Sequence, residues 1–177
     1  MLIVSLKDIP KKEQHSHAHN LLRECLKKYG IEYDENTVIN KNEMGKPSLA
    51  NYPGIHYNIS HADGIASCMI ADGECGIDCE KIRPYRPNVI KRAFSGEEKI
   101  MLENTPEKER NAMFFRLWTL KESYVKAIGT GISYPLNTVC FSIENGIIRT
   151  NIQGYSFRQY IIHEKYVVSL CRSLNHN

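Results

Sequence analysis

Residues 106–128, PEKERNAMFFRLWTLKESYVKAI, constrain this chain more than any other stretch. An α-helix advances about 100° per residue. Met113, Leu117, Leu120, Tyr124 and Ile128 therefore fall on one side, at the spacing of a core stripe. Phe115, Trp118, Glu122 and Lys126 fall on roughly the opposite side, which is aromatic yet charged. A face that only met water would not need Phe and Trp. A second buried face implies a cleft or an interface, and a carboxylate held there needs a partner. Thr105 before Pro106 reads as an N-cap, and Gly129 as the C-terminal stop.

The remaining chain supplies the partners of this helix. Residues 1–7 read as a strand, and 11–29 as a helix on which Ala18, Leu21, Leu22, Cys25 and Leu26 recur before Gly30 stops it. A short strand follows at 37–40, then a loop over 41–54, KNEMGKPSLANYPG, rich in turn residues. Strands are expected at 55–59, 64–71 and 75–79, short helices at 89–93 and from FSGEEK, and strands again at 139–143, 146–150, 155–162 and 166–171. No sequence repeat is evident, yet each half holds helix and strands in similar proportion. The expected fold is α/β (α+β): two lobes, residues 1–75 and 76–177, each a small sheet packed with a helix.

With 177 residues the chain can bury a sizeable core. A net charge of +3 is too small to imply a nucleic-acid partner. No apolar run reaches the length of a membrane span, and MLIVSL is too short for a signal peptide. The 6 cysteines are scattered through apolar runs, as free thiols of a reducing compartment would be. A cytoplasmic location is expected.

Three clusters could carry chemistry. In GIDCEKIRP, 76–84, strand alternation puts Asp78 and Glu80 on one face, opposite Ile77, Cys79 and Ile82. Adjacent carboxylates repel unless a cation lies between them, and hard oxygen ligands suit Mg²⁺. The plainer reading is an exposed strand face with salt bridges to Lys81 or Arg83, and the pattern alone favours it. In the long helix, Glu122 and Lys126 could be a surface pair worth only about 0.3–0.5 kcal/mol, but their aromatic neighbours argue otherwise. In GKP…NISHADG, the donors Lys46, Ser60 and His61 could hold a phosphate, against the alternative of a turn in which Ser60 caps the backbone and His61 faces water. Ser60 and His61 are consecutive in a strand and point to opposite faces, so they are no hydrolase pair.

Taken in order, GKP, NISH, GIDCE, FSGEE and WTLKESYVK-IGTGIS resemble the 4′-phosphopantetheinyl transferases, of the type that activates surfactin and other peptide synthetases. The resemblance spans about 41–135, and the β-rich tail fits the family's second lobe.

That resemblance implies a pseudo-dimer of two similar lobes with a coenzyme A cleft between them. It also implies transfer of the phosphopantetheine arm to a serine of an apo acyl or peptidyl carrier protein. Asp78, Glu80 and Glu122 match the family's acidic Mg²⁺ site, and Lys126 the lysine that meets charge on the leaving phosphate. Lys46, Pro47, Ser60 and His61 match the segments that hold the adenosine 3′-phosphate end, with Lys46 alternatively along the pyrophosphate. The general base is Glu122 or Glu98. Ser95-Gly96-Glu97-Glu98 is also a capping box, and that role takes precedence for Glu98. The first lobe is short for the family, so His15 of HSHAHN, or Lys12 just before that segment, stands in for its usual basic residues. A transition-metal site on His15, His17 and His19 fits poorly, because alternating helical residues diverge. The carrier is expected to be an acidic helical domain. Two lobes in one chain make a monomer sufficient.

Rival readings are a coenzyme A-binding module without transfer, a small metal-dependent phosphohydrolase using the same acids, and a zinc-binding regulator built on Cys75, Cys79 and the histidines.

Overall fold

The computed structural model describes residues 1–34 and 36–174. Strand β1 (Leu2–Leu6) leads into helix α1 (Lys11–Lys27), the short strands β2 (Ile39–Lys41) and β3 (Pro47–Leu49), and the long strands β4 (His56–Ala62) and β5 (Ile65–Ala71). Strand β6 (Cys75–Lys81) opens the second half. Helices α2 (Pro87–Ala93), α3 (Gly96–Asn104) and α4 (Glu107–Ile128) follow, then β7 (Phe141–Glu144), β8 (Ile147–Thr150), β9 (Tyr155–Ile162) and β10 (Tyr166–Ser173).

The two halves share a topology that the sequence does not advertise. The first sheet has the order β1-β5-β4 and the second β6-β10-β9. In each, a strand is followed by a long helix, a small hairpin and two further strands, and the last strand sits in the middle. The hairpins are β2–β3 in the first lobe and β7–β8 in the second; α2 and α3 are additions to the second lobe.

Alternation along the strands builds a layered core. Ala66, Cys68 and Ile70 of β5 face α1 and its Leu22, Cys25 and Leu26. Ile65 and Met69 face the other way, against Cys75, Ile77 and Cys79 of β6 and Val168 and Leu170 of β10. The far side of the second sheet carries α4, where Phe115, Leu117 and Leu120 pack with Phe141 and Val167. The buried strand β6 thus has apolar side chains toward the first sheet and Gly76, Asp78 and Glu80 on the other, α4-facing side.

The 41–54 segment is not loop throughout, since Ile39, Asn40 and Lys41 pair with Leu49, Ser48 and Pro47 in an antiparallel ladder. Strand β4 runs past Ile59 and takes in Ser60 and His61. Thr105 does not cap α4; its hydroxyl donates to the Met101 carbonyl at 2.8 Å, closing α3, and Pro106 occupies the N-cap of α4. The core side of α4 also differs from the apolar stripe. Leu117 and Leu120 are buried, but so are Thr119, Ser123 and Ala127, while Met113, Tyr124 and Ile128 keep partial exposure. Size explains this, not hydrophobicity. Gly76 lies so close that a Cβ there would fall on the Ser123 carbonyl and the Ala127 nitrogen, so only small residues let helix and strand meet. Gly129 ends α4 in the left-handed region, φ 69°.

Candidate functional site

Strand β6 and helix α4 face one another, and each brings its charged residues to the shared surface. Asp78 is buried, and its Oδ1 accepts hydrogen bonds from Lys126 Nζ at 2.7 Å and Ser60 Oγ at 2.9 Å. Its Oδ2 is buried with no hydrogen-bond partner among the described residues. Ser60 Oγ also accepts from Lys126 Nζ at 3.0 Å and from the Cys79 amide at 3.2 Å. Two residues back, Asn58 Oδ1 accepts from the Ile77 amide at 3.0 Å. Asn58 and Ser60 therefore satisfy the free-edge amides of β6 with side chains, and join the two sheets there.

The electrostatics follow from crowding acids under cover. Burial, then the Asp78 charge, push Glu122 up to about 7, with Lys126 opposing. Burial also raises Glu80, opposed by a hydrogen bond from Arg83 and reinforced by Asp78. Arg83 Nη1 sits 2.7 Å from Glu80 Oε2, and its guanidinium lies 4.8 Å over the Phe115 ring. Burial alone would lower Lys126, but Asp78 and Glu122 outweigh it and hold the ammonium above its ordinary value. The aromatic side of α4 borders this cluster: Phe115 is buried and Trp118 stacks on Phe114 at 6.4 Å between centroids.

No three His, Cys, Asp or Glu side chains among the described residues are gathered tightly enough to hold a metal as they stand. The chemistry of the acids nevertheless fits a hard divalent cation. Asp78 has an uncommitted buried oxygen, and Glu80 and Glu122 are held toward neutrality by burial and mutual repulsion that a cation would relieve.

His61 is exposed on the opposite face of β4 from Ser60. Its ring lies 6.2 Å from that of His15, which lies 4.5 Å from His19. The divergence expected of the three histidines holds for His17, which bonds Ser5 Oγ at 2.9 Å, but His15 and His19 are one turn apart and share a face. Burial, His15 and Lys126 lower His61; burial, His15 and Lys41 lower His19. Lowered imidazoles carry little charge near neutral pH, and these histidines form no group among the described residues that could hold a metal ion.

Other candidates lie elsewhere. Lys46 donates to the Ala127 carbonyl at the end of α4, and Pro47 sits in β3 opposite Lys41. Lys12 is exposed on α1 beside Glu13. Glu98 is fully buried and wrapped by donors: Oε2 accepts from the Ser95 amide at 2.8 Å and lies 2.8 Å from Lys121 Nζ, and Oε1 accepts from the Phe141 amide at 3.0 Å. The capping box is present. Sequence reasoning gave Lys121 and Lys41 no role; for Lys121 the signal was a lysine in the most apolar part of α4.

Residues 74–171 match the 4′-phosphopantetheinyl transferase superfamily, a span that begins just before β6 and includes Asp78, Glu80, Glu122 and Lys126. The chain is 40% identical over 163 residues to the 4′-phosphopantetheinyl transferase gsp of Aneurinibacillus migulanus, covering 86% of this chain and 67% of that protein. A Bacillus subtilis 4′-phosphopantetheinyl transferase is 31% identical over 134 residues, covering 73% of this chain and 60% of its own length. The solved holo-(acyl-carrier-protein) synthase from Bacillus anthracis str. Ames, in complex with CoA (3′,5′-ADP), overlaps 55% of this chain and 92% of its own, at 19% identity and a TM-score of 0.45. This chain thus spans about two thirds or less of these two curated relatives. On the superfamily match and the identity to gsp, the chain belongs to the 4′-phosphopantetheinyl transferase superfamily.

Proposed function

We propose that this chain transfers the 4′-phosphopantetheine arm of coenzyme A to a serine of an apo acyl or peptidyl carrier protein. The observation that carries this reading is the Asp78 carboxylate. It binds Lys126 and Ser60 through one oxygen, keeps the other uncommitted, and lies near a glutamate that titrates near neutrality.

In this reading the carrier serine attacks the phosphorus that bears pantetheine. The bond from that phosphorus to the bridging pyrophosphate oxygen breaks, and its electron pair leaves with adenosine 3′,5′-bisphosphate. Glu122 is the residue assigned to take the serine proton; without a cation, burial and Asp78 push it up to about 7, and a cation bound beside it would lower it from there. Lys126, kept protonated by Asp78, meets the charge that grows on the leaving oxygen. Asp78, Glu80 and Glu122 would hold Mg²⁺, which when bound neutralises pyrophosphate charge. His61, with His15, and with Lys12 on the same helix, would receive the 3′-phosphate. Glu98 is assigned to the core, since it is fully buried and both of its oxygens already meet donors, from Ser95 and Lys121 on one and Phe141 on the other. The lobes are taken as residues 1–75 and 76–177 with coenzyme A between them; two lobes in one chain make a monomer sufficient, and free cysteines fit a cytoplasmic setting. No described helix is long and apolar enough to cross a membrane.

Intact-mass spectrometry of an apo carrier protein incubated with this protein, coenzyme A and Mg²⁺ tests the reading. A gain of one phosphopantetheinyl group, abolished by a chelator, is expected. No gain on acyl, peptidyl and aryl carriers alike, with coenzyme A bound, would leave a binding module and overturn the transfer.

A further inference from the structure

Two glycine-containing motifs that lie far apart in sequence, GKP in the first lobe and IGTG at the end of α4, meet in space. The 42–46 turn is rigid in itself. Asn42 Oδ1 accepts from the Met44 amide at 3.0 Å and the Lys46 amide at 2.8 Å, the Asn42 amide donates to the Lys46 carbonyl at 3.0 Å, and Gly45 takes a φ of 84°. The turn then spends its remaining donors on the other lobe. Asn42 Nδ2 donates to the Gly129 carbonyl at 2.9 Å, and Lys46 Nζ donates to the Ala127 carbonyl.

The Ala127 carbonyl is one of the orphan acceptors every helix leaves at its C-terminus, where a cation also meets the negative end of the helix dipole, and Gly129 is the C-cap just beyond. The fit is close. A Cβ on Gly129 would lie 2.6 Å from Lys46 Cδ and 2.9 Å from Asn42 Nδ2, so Gly129 is required by the approaching turn as well as by its own φ of 69°. Lys46 is only 14% exposed, and Glu74 Oε1 stands 3.6 Å from its ammonium. Its charge is already balanced by a carboxylate and a helix terminus. The residue before Ala127 is Lys126, which crosses to Asp78 and Ser60.

We infer that the 42–46 turn is a latch between the lobes that seats the last turn of α4, and that Lys46 is a positioning residue acting through Ala127 on Lys126. It is not a phosphate ligand. The kinetic arm of the test rests on the transferase reading; the exchange arm does not.

Amide hydrogen exchange is followed in the ligand-free protein for wild type and Lys46→Met. The amides of residues 125–129 should exchange about tenfold faster or more in the variant, the factor corresponding to a hydrogen bond from a charged group, while α1 amides hold. Unchanged exchange at 125–129 overturns the latch. Should Lys46→Met not fold, Asn42→Asp, which keeps an acceptor for the Met44 and Lys46 amides and loses the donor to the Gly129 carbonyl, carries the same expectation and the same refutation. In the second arm, transfer is measured with coenzyme A and with dephospho-coenzyme A, which lacks the 3′-phosphate. A latch lowers kcat several-fold with both and leaves KM little changed. A rise in KM confined to coenzyme A identifies a phosphate ligand and overturns the inference. If wild type transfers nothing, the transferase reading fails while the exchange arm still decides the latch.

Discussion

Lys126 Nζ lies 2.7 Å from one oxygen of Asp78 and leaves the other oxygen of that carboxylate buried, with no hydrogen-bond partner among the described residues. The contact joins α4 to β6 at the point where the first sheet also arrives, through Ser60. Asp78→Asn keeps the shape and an acceptor for Ser60 but removes the charge. Phosphopantetheinyl transfer should then be lost. The structural cost should stay near 1–3 kcal/mol, the penalty for weakening a buried hydrogen bond to a charged group. Urea unfolding and carrier mass read the two effects separately. Full transfer by the folded variant would remove Asp78 from the site.

Glu122 gives a stability signature that needs no substrate. Its folded pKa is raised from 4.5 to about 7, first by burial and then by Asp78, so the ionised form opposes folding. The penalty is absent below the ordinary value of 4.5, grows as pH rises from there to about 7, and is complete above it. At about 1.4 kcal/mol per unit this is on the order of 3 kcal/mol, less what its partial solvent contact screens. In chelator, Glu122→Gln should melt higher than wild type at pH 8 and level with it near pH 4.5. Equal melting at both pH values would mean that Glu122 ionises as an ordinary surface acid. Asp78→Asn should also lower the pH at which Glu122 titrates, since it deletes the second cause of the shift.

The ordered motifs of the family resemblance pick out the residues of this site, since the strand pattern alone favours an exposed face for Asp78 and Glu80; two periodicities then arrange them. Period two sorts Asp78 and Glu80 from Ile77 and Cys79, and helical spacing puts Glu122 and Lys126 on one side of α4. What those rules cannot give is which elements meet. The pairing of Lys46 with Ala127 spans 81 residues, and the shared topology of the lobes leaves no repeat in the residues. The buried small-residue side of α4 escaped because hydrophobic patterning ranks Thr119 and Ser123 as polar. Their partners, Ser169 and Gly76, are distant in sequence. The link between His15, His19 and His61 needed the tertiary approach of α1 to β4.

Gly76 is where that small-residue packing can be tested. A methyl group there meets backbone atoms of Ser123 and Ala127, which cannot rotate aside. Gly76→Ala should cost more than the ordinary overpacking range of about 1–3 kcal/mol. Because β6 and α4 would be pushed apart, the folded fraction should also transfer poorly, with Asp78 no longer reaching Lys126. A thermal melt and a carrier-mass assay at a temperature where the variant is folded check both. A variant as stable as wild type would mean that helix and strand have room to spare.

Glu98 and Lys121 form a fully buried ion pair, 2.8 Å between Oε2 and Nζ. Lys121 also donates to the Leu136 carbonyl at 2.9 Å and to the Val139 carbonyl. Burial pushes Glu98 up and Lys121 down, each toward neutrality, and each is countered chiefly by the other. Removing one partner strands the other: Lys121→Met should cost about 3–5 kcal/mol near pH 7. The loss should shrink as pH falls and the unpaired Glu98 binds a proton, because a carboxylate with a raised folded pKa destabilises only where it is ionised. Adding Glu98→Gln to Lys121→Met should recover part of the loss by deleting the stranded charge. Glu98→Gln alone is a poor probe of proton transfer, since both carboxylate oxygens accept backbone amides and a glutamine has one acceptor oxygen. Any fall in its transfer rate should follow its fall in stability. Urea unfolding of the two singles and the double at pH 5 and pH 8 gives the coupling. Additive losses, or a Lys121→Met cost below about 1 kcal/mol, would show that the pair does not hold α4 against the rest of its lobe.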